Sequence, residues 1–364
     1  MSKYIHELKN WPDFSWDKEK VGQLLIYLRH FQGRLIGGME SIGFHARAET
    51  ILQTLTQDVV KSSEIEGEIL DQSLVRSSVA RHLGMDVAAD PIDRNIEGVV
   101  EMVLDATQNY DQPLTKERLF AWHHLLFPSG KSGFSKIHRG GWRKGAVDVV
   151  SGKPGREIVH FEAPPASKVD HEMSFFLDWF NDQNELDLVL KAAVAHLWFV
   201  TIHPFDDGNG RIGRAVADLL LARSEKSTNR FYSLSAQIQR ERNAYYSILE
   251  KTQKGNLDIS LWMEWFLDCL SRAIREAAIT LEKILHKARF WEAISDLNLN
   301  HRQRKIINKL LDGFKGKLTT SKWSKICKCS QDTAYRDILE LIDRDILAKN
   351  PEGGRSSNYS LKLR

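Results

Sequence analysis

Between Leu188 and Ile202 the chain reads LVLKAAVAHLWFVTI, apolar almost all round any helix drawn through it. A helix without a polar face has no side to offer water, so it belongs at the centre of a domain. The chain carries amphipathic partners for such a centre. Leu24, Leu25, Tyr27, Leu28, Phe31 and Leu35 recur at helical spacing, and Ile51, Leu52, Leu55 and Val59 line one face of a second run. A polar segment at 62–67 interrupts that second run, and further amphipathic stretches cover 75–83, 96–106, 116–126, 166–180 and 211–222, with helical texture continuing to about Leu297. The expected fold class is mainly α.

Two segments depart from that texture. From Gly130 to Pro165 glycines are frequent, and Ala146-Val147-Asp148-Val149-Val150, the turn-forming Ser151-Gly152-Lys153-Pro154-Gly155 and Ile158-Val159-His160-Phe161 predict a short hairpin. After Asn298, runs at 303–311, 319–326 and 330–345 predict three helices, the last with Ser330 as its N-cap. Ile346-Leu347-Ala348, the turn Pro351-Glu352-Gly353-Gly354 and Asn358-Tyr359-Ser360-Leu361 then predict a second hairpin. Three helices and a hairpin match the winged form of the helix-turn-helix. At roughly 100–200 residues per domain, 364 residues leave room for two or three domains. The predicted division is an N-terminal helical region 1–110, a central domain 111–298 and a winged-helix domain 299–364.

With 42% hydrophobic and 27% charged residues the composition is that of a soluble globular protein, which excludes collagen-like, disordered and disulfide-scaffold classes. Cys269, Cys327 and Cys329 lack zinc spacing, and the start of the chain has no apolar run. No stretch approaches the ~20 apolar residues of a membrane span. A cytoplasmic protein with no membrane partner is expected. The net charge of +3 conceals a segregation: residues 300–364 hold 15 Lys plus Arg against 7 Asp plus Glu, leaving 36 against 41 elsewhere.

The stretch that carries chemistry is His203-Pro204-Phe205-Asp206-Asp207-Gly208-Asn209-Gly210-Arg211-Ile212-Gly213-Arg214. Gly208 and Gly210 permit close backbone approach to a ligand, and Asn209 with the first amides of a helix opening near Arg211 makes an anion cradle. Phosphate is the expected occupant. Arg211 and Arg214, three apart, share a helix face, so both guanidinium forks can reach one polyphosphate. Asp207 is placed to hold a magnesium ion bridging phosphate oxygens. His203, at the end of the buried helix, can take a proton from a hydroxyl.

This stretch resembles the signature of the Fic family (Fic/Doc superfamily), H-x-F-x-[DE]-G-N-G-R-x-x-R, and every specified position matches. The resemblance implies a Fic-type helical core with a small β-hairpin flap, making 111–298 the catalytic domain. It further implies a protein adenylyltransferase that binds ATP with Mg2+ and passes AMP to a Ser, Thr or Tyr hydroxyl of a protein target, with self-modification included. In that carry-over His203 is the base, Asp207 the metal ligand, Gly208, Asn209, Gly210 and Arg211 the phosphate cradle, and Arg214 a contact to the outer phosphates. Val159, His160 and Phe161 are similar to the family's flap, which docks a target segment by strand addition. Tyr245, Tyr246 and Gln253 resemble the adenine-side segment; the tyrosines read equally as core, and relatives often carry Asn where Gln253 stands.

Ser62-Ser63-Glu64-Ile65-Glu66-Gly67 also resembles the family's inhibitory motif, [ST]-x-x-x-E-[GN], at Ser62, Glu66 and Gly67. The implied mechanism is charge competition, in which Glu66 takes the Arg214 guanidinium and ATP is left misaligned for in-line attack. Other readings stay open: removal of AMP, transfer of another phosphate-linked group, or a DNA-binding regulator whose Fic domain senses nucleotide.

The basic tail supports the last of these. Gln331, Thr333, Tyr335 and Arg336 are candidates for a groove, and Lys322, Lys325, Lys328, Lys349 and Arg355 for phosphates. Asp337, Glu340, Asp343 and Asp345 on the same helix would repel a phosphate backbone, so protein docking or homodimerisation through 300–364 is an equal reading. Lone histidines such as His123, His124, His160 and His196 are expected to be structural.

Overall fold

The computed structural model describes residues 3–85, 91–133, 135–153, 156–183, 185–351 and 357–362. The chain divides into two units, Met1–Ala278 and Ile279–Arg364. Among the described residues the first unit opens with α1 (Lys18–Glu40), α2 (Phe44–Ile65), α3 (Gln72–His82), α4 (Arg94–Gln108) and α5 (Lys116–Leu126). Two antiparallel pairs follow, β1 (Lys131–Ser132) with β2 (Ser135–Lys136) and β3 (Asp148–Lys153) with β4 (Arg156–Glu162). Then come α6 (Ala166–Asn181), α7 (Leu188–Ile202), α8 (Asn209–Glu225), α9 (Leu234–Arg240), α10 (Arg242–Gln253) and α11 (Ser260–Ala293), within which the two units divide. The fold is mainly α, and the helices of the first 110 residues share one unit with those that follow.

The all-round apolar run behaves as its composition requires. Every residue of α7 from Val189 to Ile202 is buried, packed between α6 and α8, while α8 in turn meets α4, α5 and α2. Asp17, Asp71, Asp93, Thr115, Asp187 and Ser233 start their helices, each side-chain oxygen accepting a first-turn N–H. Strands β3 and β4 pair antiparallel with an irregularity between Val149 and Val150, and the turn residues Pro154 and Gly155 lie outside the described residues. No helix among the described residues is long and apolar enough to cross a membrane.

One sequence expectation is corrected. The break expected over 62–67 begins later than its first residues: α2 runs unbroken through Ser62 and Ser63 to Ile65, and only Glu66 and Gly67 of that segment leave the helix. It stops there because Gly67 adopts φ +86, the left-handed conformation that glycine tolerates best. The Gly67 N–H then bonds the Glu64 carbonyl at 3.0 Å and the Glu68 N–H bonds the Ser63 carbonyl at 3.0 Å, a Schellman closure of the helix end.

The second unit contains α12 (His301–Leu311), α13 (Thr320–Cys327), α14 (Gln331–Asp343) and the antiparallel pair β5 (Leu347–Lys349) and β6 (Tyr359–Leu361). Ile306, Ile307, Trp323, Ile338 and Leu341 are central to its core. Ser330 caps α14, its Oγ accepting the Thr333 N–H at 3.1 Å. Residues 352–356, which include Arg355 and most of the expected turn, lie outside the described residues.

Candidate active site

Helix α7 cannot continue past Ile202, because Pro204 has no N–H and disfavours helical geometry at the residue before it. His203 resolves the conflict by turning left-handed, φ 53 and ψ 58, a conformation strained for any residue with a Cβ. Its Nδ1 lies 3.1 Å from the Val200 carbonyl. A carbonyl only accepts, so Nδ1 carries the hydrogen and Nε2 holds the lone pair. Burial pushes the His203 pKa down, with the Arg143 guanidinium adding to it against the opposing Val200 bond and the Glu66 and Asp207 carboxylates. The imidazole is therefore kept neutral and can accept a proton.

His203 lines a cleft of about 710 Å³, together with Asp207, Gly208, Asn209, Gly210 and the cleft faces of the β3–β4 hairpin and α10. The loop between α7 and α8 is fixed from below by Phe205, buried and stacked on the His123 ring at 4.3 Å. Asn209 ties the loop shut: its Oδ1 accepts the Phe205 N–H at 2.9 Å and its Nδ2 donates to the Phe205 carbonyl at 2.9 Å. Both ends of its amide group are thus engaged inside the protein, so Asn209 shapes the cradle by holding the loop. Asp207 accepts from the Ser132 hydroxyl and from the Gly208 N–H, and no basic side chain pairs with it among the described residues.

Helix α8 then presents the two arginines, both buried. Arg214 donates from Nε to the Ser62 hydroxyl at 3.0 Å and from Nη2 to the Ser62 carbonyl at 2.7 Å, and its Nη2 lies 2.8 Å from Glu66 Oε1. Arg211 pairs with Glu68 at 2.5 Å and lies over the Phe127 ring. Arg214 Nη1 and Arg211 Nε are buried without a hydrogen-bond partner among the described residues. Gly210 makes room for the first pair: a Cβ there would lie 2.0 Å from Glu66 Oε1. Burial works against the Arg214 charge, and Glu66 with the Tyr245 and Tyr246 hydroxyls outweighs it, holding the pKa above its ordinary value.

The other expected residues divide between cleft and core. Tyr246 donates toward Glu66 Oε2 and the Ile65 carbonyl, each at 3.3 Å, so it grips the end of α2. Tyr245 is buried and its hydroxyl donates to His196 Nε2 at 2.8 Å, while His196 Nδ1 donates to the Gly213 carbonyl at 3.0 Å. Gln253 is buried beside Thr201, donating to its hydroxyl at 3.2 Å. On the hairpin, Val159 is exposed, Phe161 is buried against Tyr4 and His6, and His160 reaches across to Glu250 on α10 at 2.8 Å.

Four contributors went unmarked in the sequence. Glu68, Ser132 and Glu250 meet their partners across long chain separations, which no local pattern records. Arg143 sits in a glycine-rich stretch without periodicity, yet it is buried and its Nε donates to the His203 carbonyl at 2.8 Å. His82, Glu97 and Glu101 bring ligand atoms close together away from the cleft, and there Glu97 is already held by Ser78, Arg81 and His82.

Residues 113–221, which include the whole 203–214 motif, match the Fic/DOC family. Residues 4–85, which include the end of α2, match a domain of unknown function, DUF4172. The Fic protein adenylyltransferase of Culex quinquefasciatus is 28% identical over 226 residues, 60% of this chain and 40% of that protein. A uridine 5'-monophosphate transferase of Xanthomonas campestris is 30% identical over 119 residues, 30% of this chain and 21% of that protein. The chain thus spans less than half the length of these curated relatives. A crystal structure of a Fic family protein from Desulfovibrio desulfuricans shares the fold, with a TM-score of 0.55 at 22% identity over 94% of this chain and 96% of that one.

Proposed function

We propose that the first unit is a protein adenylyltransferase held inactive by the end of its own α2. Relatives that share the Fic domain carry adenylyltransferase names, which supports AMP transfer at the level of the family. The observation that carries the reading is the paired state of the two motif arginines: Glu66 lies on Arg214 and Glu68 on Arg211, while each guanidinium keeps a buried donor with no partner among the described residues. Native proteins leave few buried donors unsatisfied, and phosphate oxygens are their natural complement. In the reaction a target hydroxyl oxygen attacks the α-phosphorus of ATP, His203 Nε2 takes the hydroxyl proton, and the bond to pyrophosphate breaks. The Arg211 and Arg214 forks hold the outer phosphates in line once the carboxylates withdraw.

A magnesium ion fits the Asp207 carboxylate, which lines the cleft and has no basic partner among the described residues; when bound it would neutralise phosphate charge. Ser132 and the Gly208 N–H hold that carboxylate in place. The test is intact mass after incubation with ATP and magnesium, with cell extract supplied as target. Glu66→Gly is expected to gain AMP units that Glu66→Gly/His203→Ala does not; no label on any protein would sink the reading. Gain of UMP from UTP with none from ATP would instead favour the uridylyl donor.

We infer a second role, duplex DNA binding, for the second unit. Asp337 is taken up by Arg302 and Asn300, Glu340 by Gln303 and Arg344, and Asp345 by Lys362. The carboxylates that would repel phosphate are therefore largely neutralised within the unit, which supports contact through its exposed lysines.

A further inference from the structure

Arg143 makes more of the site than any motif residue records. Arg143 is 2% exposed as a residue, and its guanidinium reaches backbone carbonyls of two separate segments. On one side Nε donates to the His203 carbonyl at 2.8 Å, Nη2 approaches the Ile202 carbonyl at 3.5 Å, and the Arg143 N–H donates to the Pro204 carbonyl at 2.9 Å. These are the last carbonyls of α7 and the strained turn beyond it, where a helix C-terminus favours a cation. On the other side Nη1 donates to the Gly145 carbonyl at 2.8 Å and Nη2 to the Pro164 carbonyl. Gly145 and Pro164 flank the β3–β4 hairpin at its base, where the Ala163 N–H also bonds the Val147 carbonyl.

We propose that Arg143 is a positioning residue that fastens the left-handed His203 turn to both feet of the β3–β4 hairpin, so that base and hairpin hold one geometry. The proposal rests on His203 being the base. Lysine cannot replace it, because one ammonium lacks the planar fork that serves carbonyls on both sides. The left-handed His203 conformation needs such over-determination, since a strained residue persists only where its surroundings hold it.

The experiment uses the full chain carrying Glu66→Gly, with and without Arg143→Lys or Arg143→Gln, and reads three quantities. These are self-modification rate with ATP and magnesium, ATP affinity by calorimetry, and hydrogen exchange across the first unit. Arg143→Lys is expected to lower the rate about 10²-fold, the scale of a 1 Å misplacement, with ATP affinity unchanged. Exchange should rise together in 146–153 and around 203–208 while α7 and α8 keep their protection. A rise in only one of these segments, a parental rate in Arg143→Lys, or a general loss of protection would overturn the proposal. If Glu66→Gly alone transfers no AMP, the functional reading fails, and hydrogen exchange still decides whether Arg143 couples the two segments.

Discussion

Glu66 and Glu68 sit at the C-terminal end of α2, where the helix dipole disfavours negative charge. They are stable there because buried Arg214 and Arg211 face them, and those arginines need the carboxylates just as much, since a buried charge stripped of its partner is strongly destabilising. On the proposed function, ATP and the carboxylates compete for one pair of guanidinium groups. Removing Glu66 should lower the melting temperature of the ligand-free protein and enlarge the rise produced by ATP, since a ligand that binds the folded state tightly stabilises it by mass action. Glu66→Gly/Glu68→Gln should show a larger ATP shift than either single variant; equal shifts in all four proteins would contradict competition. Gly67 matters for a separable reason. A Cβ at φ +86 should cost about 1 kcal/mol and tilt both carboxylates, so Gly67→Ala is expected to melt earlier and label faster than the parent. The motif letters pointed to Ser62, Glu66 and Gly67, and each has a bond or a backbone angle that explains it. Glu68 was invisible because its partner lies on α8, far along the chain.

At the scale of elements, strong periodicity made α7 and the amphipathic helices legible, and Ser330 marked the start of α14. What docks α2 was not legible, because its partners come from distant segments. Asp58, buried on α2, accepts the Ser233 hydroxyl, and its Oδ2 has no hydrogen-bond partner among the described residues; beside it, Arg230 donates to Asp218 at 2.9 Å. Burial, and after it the Asp218 carboxylate, push Asp58 up to about 8 against the opposing Arg230 charge. A folded pKa above the unfolded one means that the folded state holds the proton longer. The associated stability is full below the unfolded pKa, near 3.8, and is lost as pH rises through about 8. Asp58→Asn cannot ionise, so its melting temperature should gain on the parent's between pH 5 and pH 9; a constant difference would show that Asp58 titrates normally. Because α2 carries Glu66, the same pH rise should loosen the proposed inhibition in the parent more than in the variant.

Across the whole molecule, the +3 total is the sum of an acidic first part and a basic tail, and the site's own charges are local to its cleft. The sequence placed four carboxylates on the third tail helix as opponents of nucleic acid, and it could not show that Asp337, Glu340 and Asp345 find basic partners. With these paired, α14 exposes Gln331, Tyr335 and Arg336, and α13 exposes Lys322 and Lys325. Binding through such lysines releases counterions from the duplex, so the logarithm of affinity should fall linearly with the logarithm of salt, by about 0.9 per phosphate contact. Full-length protein on a labelled duplex is expected to show this dependence. Lys322→Glu/Lys325→Glu should weaken binding and flatten the slope by about 2, without altering self-modification by the Glu66→Gly chain. Arg336→Glu should weaken binding at every salt concentration. An unchanged slope in the lysine variant, or no binding at low salt by the parent, would assign this surface to a protein partner instead. Loss of AMP transfer in the same variant would show that the second unit also serves catalysis.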